Sequence, residues 1–214
     1  MKKSRIELSS DAKDEKEQTR VMAEISEMIR TEHLEYRKQA RDKYNHLHEK
    51  NKMRPGPVKM VAKRAMKLID HNGKNVIDFG CGNGELSKYL KGHDMYVGID
   101  IANELIAKIM KGKRTEKEYF LAESITNVMM PAKTHIGYCI DVLECVPDDF
   151  LQKVLLNISL NVDICIFAVD VVHREYQENV HGWNWWKKEI EVYFDEIHTT
   201  EIDNHLVLIA KSKS

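Results

Sequence analysis

The stretch that decides the fold is Val76-Ile77-Asp78-Phe79-Gly80-Cys81-Gly82-Asn83-Gly84, an apolar run that leads into three glycines at alternate positions. Glycine adopts turn conformations that a side chain would hinder, and it lets backbone amides approach a ligand closely. The third glycine comes one residue earlier than in the G-x-G-x-x-G pattern of dinucleotide-binding loops. The stretch therefore predicts a strand followed by a loop that binds a nucleotide-like cofactor of another kind.

The residues that follow the glycines complete a βαβ unit. Residues 85–90 show a short helical pattern, and a second apolar strand, Met95 to Asp100, ends in an acid. A carboxylate at this strand end can accept hydrogen bonds from both hydroxyls of a ribose. Asp100 is therefore a candidate ribose ligand.

Strands and helices alternate along the rest of the chain, which predicts a parallel sheet. Residues 122–135 are too short and broken for a long helix, so one crossover is expected to be abbreviated. Asp203-Asn204 suits a tight turn between the last two strands, which predicts a terminal hairpin. The further strands are expected at residues 118–121, 136–140, 162–169, 196–202 and 205–210, and helices at 58–69, 105–110, 148–156 and 185–194.

The domain organisation follows from a break at Pro55-Gly56-Pro57. Before it, residues 11–50 contain neither Gly nor Pro and place Val21, Ile25 and Met28 at helical intervals. We expect residues 1–54 to form a helical extension that could support an oligomer, and residues 55–214 to form one α/β domain.

Composition excludes several classes of protein. No apolar run is long enough to cross a bilayer, and the basic start lacks the apolar segment of a secretory signal, so a cytoplasmic protein is expected. The four cysteines form no C-x-x-C pair, and Cys139 and Cys165 lie in apolar runs. This pattern indicates neither a disulfide framework nor a metal site.

Charge is distributed unevenly along the chain. Residues 36–67 carry a net charge of +9, whereas the rest of the chain carries −10. A basic face of this density attracts phosphate groups on nucleic acid, on a nucleotide-linked substrate or at a membrane surface. It can equally be a solvated helix face.

The glycine loop with Asp78, the acid at Asp100 and the terminal hairpin resemble the class I S-adenosylmethionine-dependent methyltransferases, over residues 58–211. This resemblance implies a doubly wound, mostly parallel seven-stranded sheet with a terminal antiparallel hairpin, and S-adenosylmethionine as the cofactor. In that family the loop packs against the methionine portion, the second-strand acid holds the ribose and an acid after the third strand meets the adenine. The implied cofactor-binding residues are Asp78, Gly80, Cys81, Gly82, Gly84, Asp100, Ile101, Glu123, Ser124 and Asp141.

The same resemblance bears on catalysis. In the family the tip of the fourth strand lines the active site, and Asp141-Val142-Leu143-Glu144-Cys145 resembles the Asp-x-x-Glu-His pattern of small-molecule and glycan-related methyltransferases. Cys145 stands where that pattern has His, which weakens a base role there.

Methyl transfer from a sulfonium depends mainly on alignment, and it needs a base only if the acceptor must lose a proton. Candidate bases near the strand tips are Glu144, His173 and His181, and Asp141 completes the candidate catalytic set. His181 precedes the tryptophans at 183, 185 and 186, which could wall an acceptor site or stack on a ring. Alternatively, the tryptophans anchor the last helix in the core and His181 caps it.

These observations favour a methyltransferase that acts on an oxygen or nitrogen of a small-molecule, nucleotide-linked or sugar-like acceptor. An RNA or DNA methyltransferase is favoured by the basic segment, but the chain lacks an Asp-Pro-Pro-Tyr tetrad after the fourth strand and a Pro-Cys nucleophile. The chain could also be a non-catalytic cofactor-binding protein that acts through its N-terminal helices, or an oxidoreductase, which the glycine spacing disfavours.

Overall fold

The computed structural model describes residues 34–50, 57–112, 115–172, 177–179, 181–202 and 204–213. The chain divides into two compact units, Met1–Ala40 and Arg41–Ser214. Within the first unit, residues 34–40 are helical. The predicted stripe of Val21, Ile25 and Met28 lies outside the described residues.

The second unit contains a seven-stranded sheet with the order β3-β2-β1-β4-β5-β7-β6. The first five strands are parallel, whereas β7 is antiparallel to both of its neighbours, β5 and β6. The predicted doubly wound sheet with a terminal hairpin is therefore confirmed. The strands are β1 Asn75–Phe79, β2 Met95–Asp100, β3 Glu118–Ala122, β4 Thr134–Ile140, β5 Val162–Asp170, β6 Phe194–Ile202 and β7 His205–Ser212.

Five helices accompany these strands in the described part of the second unit. They are α1 (residues 41–49), α2 Val58–Leu68, α3 Asn103–Met110, α4 Asp148–Asn161 and α5 Trp183–Glu191. The first crossover is reduced to a 3₁₀ turn at Leu86–Lys88, and residues 123–133 contain no helix, as expected for an abbreviated connection. None of the described helices is long and apolar enough to cross a membrane.

Two predicted helix ends are wrong. Helix α4 continues beyond Leu156, because Asn157 and Asn161 on its next turns donate to the carbonyl oxygens of Ile125 and Val128. Helix α5 ends before Phe194, which is the first residue of β6. The ring of Phe194 packs edge-on against the ring of Phe167, with the ring centroids 5.0 Å apart. Both ends depend on contacts between residues distant in the sequence, which helical periodicity does not report.

The sheet carries a hydrophobic core on each face. Val154, Leu155 and Trp186 belong to the core under α4 and α5, whereas Val61, Ala62 and Ile106 belong to the core under α2 and α3. Parallel strands place their carboxyl ends at one edge of the sheet, and the antiparallel β7 brings its first residue to the same edge. This edge is where a doubly wound fold binds its ligands.

Candidate active site

The glycine loop lies at the carboxyl end of β1. Gly80, Gly82 and Gly84 all have positive φ, at 74°, 51° and 71°. A Cβ on Gly80 would lie 2.2 Å from Val142 Cγ2, whereas a Cβ on Gly82 would meet nothing within 4 Å. The loop thus packs tightly against the segment that follows β4 and leaves open space at Gly82, which a cofactor could occupy.

Asp100 fixes the shape of this loop. Its Oδ2 accepts the backbone N–H of Gly82 at 2.9 Å, and its Oδ1 accepts the N–H of Ala102 at 2.8 Å. An ionised carboxylate offers about four acceptor positions, so capacity remains for ribose hydroxyls. We refer to residues 80–84 together with Asp100 as the glycine side of the site.

Asp78 lies behind the loop rather than in the open space. Its carboxyl group is buried, and the hydroxyl of Tyr96 donates to Oδ2 at 2.5 Å. Burial raises the pKa of Asp78 from 3.8 to about 7, and the Tyr96 hydrogen bond acts in the opposite direction. Its contacts give Asp78 a supporting place under the glycine loop.

The residues predicted to surround the adenosine follow β2 and β3. The backbone N–H of Glu123 donates to the carbonyl oxygen of Asp100 at 3.0 Å, which places the two strand ends side by side. Glu123 Oε1 accepts the N–H of Ser124 at 2.8 Å, and Ser124 itself is buried. Ile101 is half-buried next to Asp100, and the Cys81 thiol is buried within the loop.

Asp141 directly follows β4 and has an unusual backbone conformation. Its φ of 57° is the only positive value among the described non-glycine residues. Its Oδ1 lies 2.6 Å from Nε2 of His205, the first residue of β7, and its side chain is 25% exposed. His205 lies in an ordinary strand pattern far from any motif, so the sequence does not indicate it as a site residue.

Glu144 faces inward, away from the open edge. It is 1% exposed, and its Oε1 accepts the backbone N–H of Asp170 at 3.1 Å. Burial raises its pKa well above the usual value, and the neighbouring Asp141 raises it further. This geometry does not favour the predicted base role of Glu144, because its carboxyl group is enclosed and burial favours its neutral form. Asp141, Glu144 and Asp170 with His205 form what we call the acid side.

His181 lies among α4 and α5. Its ring stacks on Trp185 with centroids 3.6 Å apart, and its Nε2 is 3.4 Å from Asp148 Oδ1 at the start of α4. Trp186 is fully buried in the core, as expected if the tryptophans anchor the last helix. None of the contacts described for His181 reaches Asp141, and the other candidate, His173, lies outside the described residues.

Helix α1 lies across the open edge and contacts both sides of the site. Asn45 Nδ2 donates to Asn103 Oδ1 at 2.9 Å, next to the glycine side. Tyr44 donates its hydroxyl to the carbonyl oxygen of Cys145 at 3.1 Å, next to the acid side, where Lys43 also pairs with Glu178. Sequence periodicity predicted this helix but not its position.

His48 extends the contact of α1 to Asp100, the predicted ribose ligand. Burial lowers the pKa of His48, whereas the carboxylate of Asp100 acts in the opposite direction. The imidazole therefore lies within electrostatic reach of Asp100. In the part of the chain that the structure describes, no group of three or more His, Cys, Asp or Glu is arranged to hold a metal ion.

Comparisons with known proteins agree with this geometry. A family model described as "Methyltransferase domain" matches residues 36–201. An S-adenosylmethionine-dependent methyltransferase from Clostridium acetobutylicum has a similar fold, with a TM-score of 0.63 at 12% identity over 81% of this chain and 99% of that one. The N-methyltransferase NodS from Bradyrhizobium japonicum, solved with S-adenosyl-L-homocysteine, also has a similar fold. Its TM-score is 0.61 at 14% identity, over 73% of this chain and 86% of that one.

A curated relative is also similar in sequence. The "Ubiquinone biosynthesis O-methyltransferase" of Paraburkholderia phymatum is 34% identical over 94 residues, which are 39% of this chain and 40% of that protein. This chain therefore matches about two-fifths of the length of that relative. The family model covers most of the chain, and the chain therefore belongs to the methyltransferase-domain family.

Proposed function

We propose that this protein is an S-adenosylmethionine-dependent methyltransferase, that its acceptor is a small molecule and that the group it methylates is a hydroxyl. The observation that carries this proposal is the partly exposed carboxylate of Asp141 at the tip of β4. The next residue, Val142, packs against Gly80 of the glycine loop. The carboxylate of Asp141 therefore lies beside the segment that contacts the loop. A general base must lie within hydrogen-bond reach of the proton that it removes, and this position suits that role.

In the proposed complex, Gly80, Gly82 and Gly84 hold the methionine portion of the cofactor, Asp100 the ribose and Glu123 the adenine. Asp78 supports the loop from inside the sheet. The cofactor supplies a methyl group on a sulfonium, so that sulfur leaves as a neutral thioether when the acceptor oxygen attacks the methyl carbon. The remaining task of the protein is to align acceptor and methyl group, which can contribute about 7–11 kcal/mol.

Asp141 takes the proton that this reaction releases. As the new oxygen–carbon bond forms, the hydroxyl proton passes to Oδ2 of Asp141 and then to solvent. Oδ2 is the oxygen suited to this, because Oδ1 is buried against His205.

Two observations favour a small hydroxylated acceptor. The partly exposed carboxylate of Asp141 lies at the acid side near the carboxyl group of Asp170, and negative charge there would repel a phosphate group. The curated relative is named as an O-methyltransferase, and its name concerns a small molecule.

A nucleic acid acceptor is the second candidate. Lys59, Lys63 and Lys67 are exposed along α2, within the basic segment of residues 36–67. If this segment binds nucleic acid, its affinity for a generic oligonucleotide will fall steeply with salt concentration.

The test is to incubate the protein with methyl-tritiated S-adenosylmethionine and a lysate, and then to fractionate the labelled products. Nuclease-resistant label of low molecular mass would support the proposal, whereas label in nuclease-sensitive polymer would replace it with the nucleic acid acceptor. Asp141→Asn is assayed alongside the wild type, because the proposal requires that this variant lose most of the methyl transfer.

A further inference from the structure

The contact between His205 and Asp141 joins residues that are 64 positions apart. Nε2 of His205 lies 2.6 Å from Oδ1 of Asp141, and the two side chains are 8% and 25% exposed. At this distance the imidazole and the carboxylate are in direct contact, which is an ion pair when the imidazole is protonated, although their geometry is not that of a hydrogen bond. The imidazole is thus enclosed, and Asp141 forms the exposed end of the pair.

The strand order brings these residues together. His205 is paired with Asp170 in the antiparallel ladder of β5 and β7, and the N–H of Val171 donates to the carbonyl oxygen of Asn204 at 3.1 Å. On the neighbouring strand, the N–H of Asp141 donates to the carbonyl oxygen of Ala168 at 2.9 Å. Backbone hydrogen bonds therefore hold both side chains at the same edge of the sheet.

The backbone of Asp141 needs such support. A non-glycine residue at positive φ costs about 1–2 kcal/mol, and it persists where its surroundings fix it. The ring of His205 contacts Oδ1, which is buried, so the exposed part of the carboxylate is Oδ2. A free carboxylate would rotate about its last bond and exchange its two oxygens, whereas one held at Oδ1 presents Oδ2 alone.

We propose that His205 is a positioning residue for methyl transfer, which holds Oδ1 of Asp141 so that Oδ2 faces the acceptor. The proposal rests on the proposed role of Asp141 and adds a residue to it. His205 thereby supplies, from β7, an imidazole at the tip of β4, where Cys145 occupies the position that is His in the related motif. Among the described ionisable groups, Asp141 contacts the imidazole and Asp170 is the strand partner of His205.

The activity test compares His205→Ala, His205→Gln and His198→Gln in the tritium-transfer assay, with S-adenosyl-L-homocysteine affinity measured alongside. We expect His205→Ala to lower transfer by about 10- to 100-fold, since a small misplacement at a reacting centre has an effect of this size. His205→Gln should recover most of the loss, because its side-chain amide can contact Oδ1 of Asp141 in place of the imidazole. His198→Gln, on β6 of the same hairpin, should match the wild type in both measurements.

The spectroscopic test uses protein labelled with ¹⁵N at histidine, with the His205 signals identified by their absence in His205→Gln. The Nε2 shift should show a proton on Nε2 at pH 7.5, and Asp141→Asn should change that shift. If Asp141→Asn leaves the shift unaltered, or if His205→Ala transfers label at the wild-type rate, the positioning role is wrong.

Two further outcomes separate the ways in which the proposals can fail. Loss of activity in both His205 variants together with a lowered Tm would mean a structural role only, and would also overturn the inference. Label that goes into nucleic acid would overturn the small acceptor but not the role of His205, which would then be measured on that polymer.

Discussion

The two sides of the site are built in different ways. The glycine side consists of consecutive residues after β1 and the end of β2, and its polar groups are mostly backbone amides that surround Asp100. The acid side gathers side chains from the ends of β4 and β5 and the start of β7. Local sequence can therefore specify the glycine side. The acid side forms only when the strands have taken their places in the sheet.

The sharpest test of this difference is Asp141→Asn, for which we expect the largest effect. Loss of the base should lower methyl transfer by about 10²- to 10⁴-fold. The affinity for S-adenosyl-L-homocysteine should change little, because the glycine side stays intact. Tritium transfer and calorimetric titration measure the two quantities, and equal losses in both would show that the two sides do not act separately.

A buried acid lies behind the glycine side, Asp78, and another on the acid side, Glu144, and the pH dependence of stability should report both. Burial raises the pKa of Asp78 from 3.8 to about 7, so between these pH values the unfolded chain releases a proton that the folded protein keeps. The free energy of unfolding should therefore fall as pH rises from 4 to 7, by up to about 4 kcal/mol from this residue.

Asp78→Asn should remove that dependence and gain stability relative to the wild type at pH 8. Glu144→Gln on the acid side should act in the same direction, because its pKa is raised too. Urea denaturation at pH 5 and pH 8 measures both, with the exposed Asp94→Asn as the control. If the free energy of unfolding of Asp78→Asn depended on pH as strongly as that of the wild type, the raised pKa of Asp78 would not be its cause.

Gly80 is the point where the two sides touch, and its substitution should separate packing from binding. Gly80→Ala places a Cβ 2.2 Å from Val142 Cγ2 at a φ of 74°, and we expect a loss of about 3 kcal/mol in the free energy of unfolding. Gly82→Ala has the same kind of backbone but open space, so about 1 kcal/mol is expected.

Binding should rank these two variants differently. The Cβ of Gly82→Ala enters the space assigned to the cofactor, so this variant should lose affinity for S-adenosyl-L-homocysteine out of proportion to its stability. Denaturation and calorimetry on the same samples decide this, and an unchanged affinity in Gly82→Ala would place the cofactor elsewhere.

The sequence predicted the fold and the glycine side because their signals are local. Alternating apolar runs indicated all seven strands, and the glycine spacing with Asp100 indicated the methyltransferase family, which the family match confirms. The individual site residues remain predictions, and His181 shows why. The tryptophans beside it suggested an acceptor wall, but stacking on Trp185 and proximity to Asp148 are equally compatible with that sequence.

The acid side could not be predicted in the same way. No pattern connects His205 with Asp141 across 64 residues, and the burial of Glu144 depends on the segment at Glu178 and Asn179, whose N–H groups donate to its carbonyl oxygen. Such contacts arise from strand order and register. They become visible only when the sheet is assembled.

Helix α1 joins the two sides, and the smallest expected effect tests that connection. Tyr44→Phe removes the hydrogen bond to the carbonyl oxygen of Cys145 on the acid side while Asn45 keeps its contact with Asn103 on the glycine side. One such bond contributes about 1 kcal/mol, so release of S-adenosyl-L-homocysteine should become about fivefold faster if α1 must open for the cofactor to leave. Stopped-flow measurement of release gives the rate, and Tyr119→Phe on the exposed face of β3 is the matched control. An unchanged release rate in Tyr44→Phe would mean that the cofactor leaves past the glycine side alone, without opening the contact between α1 and the acid side.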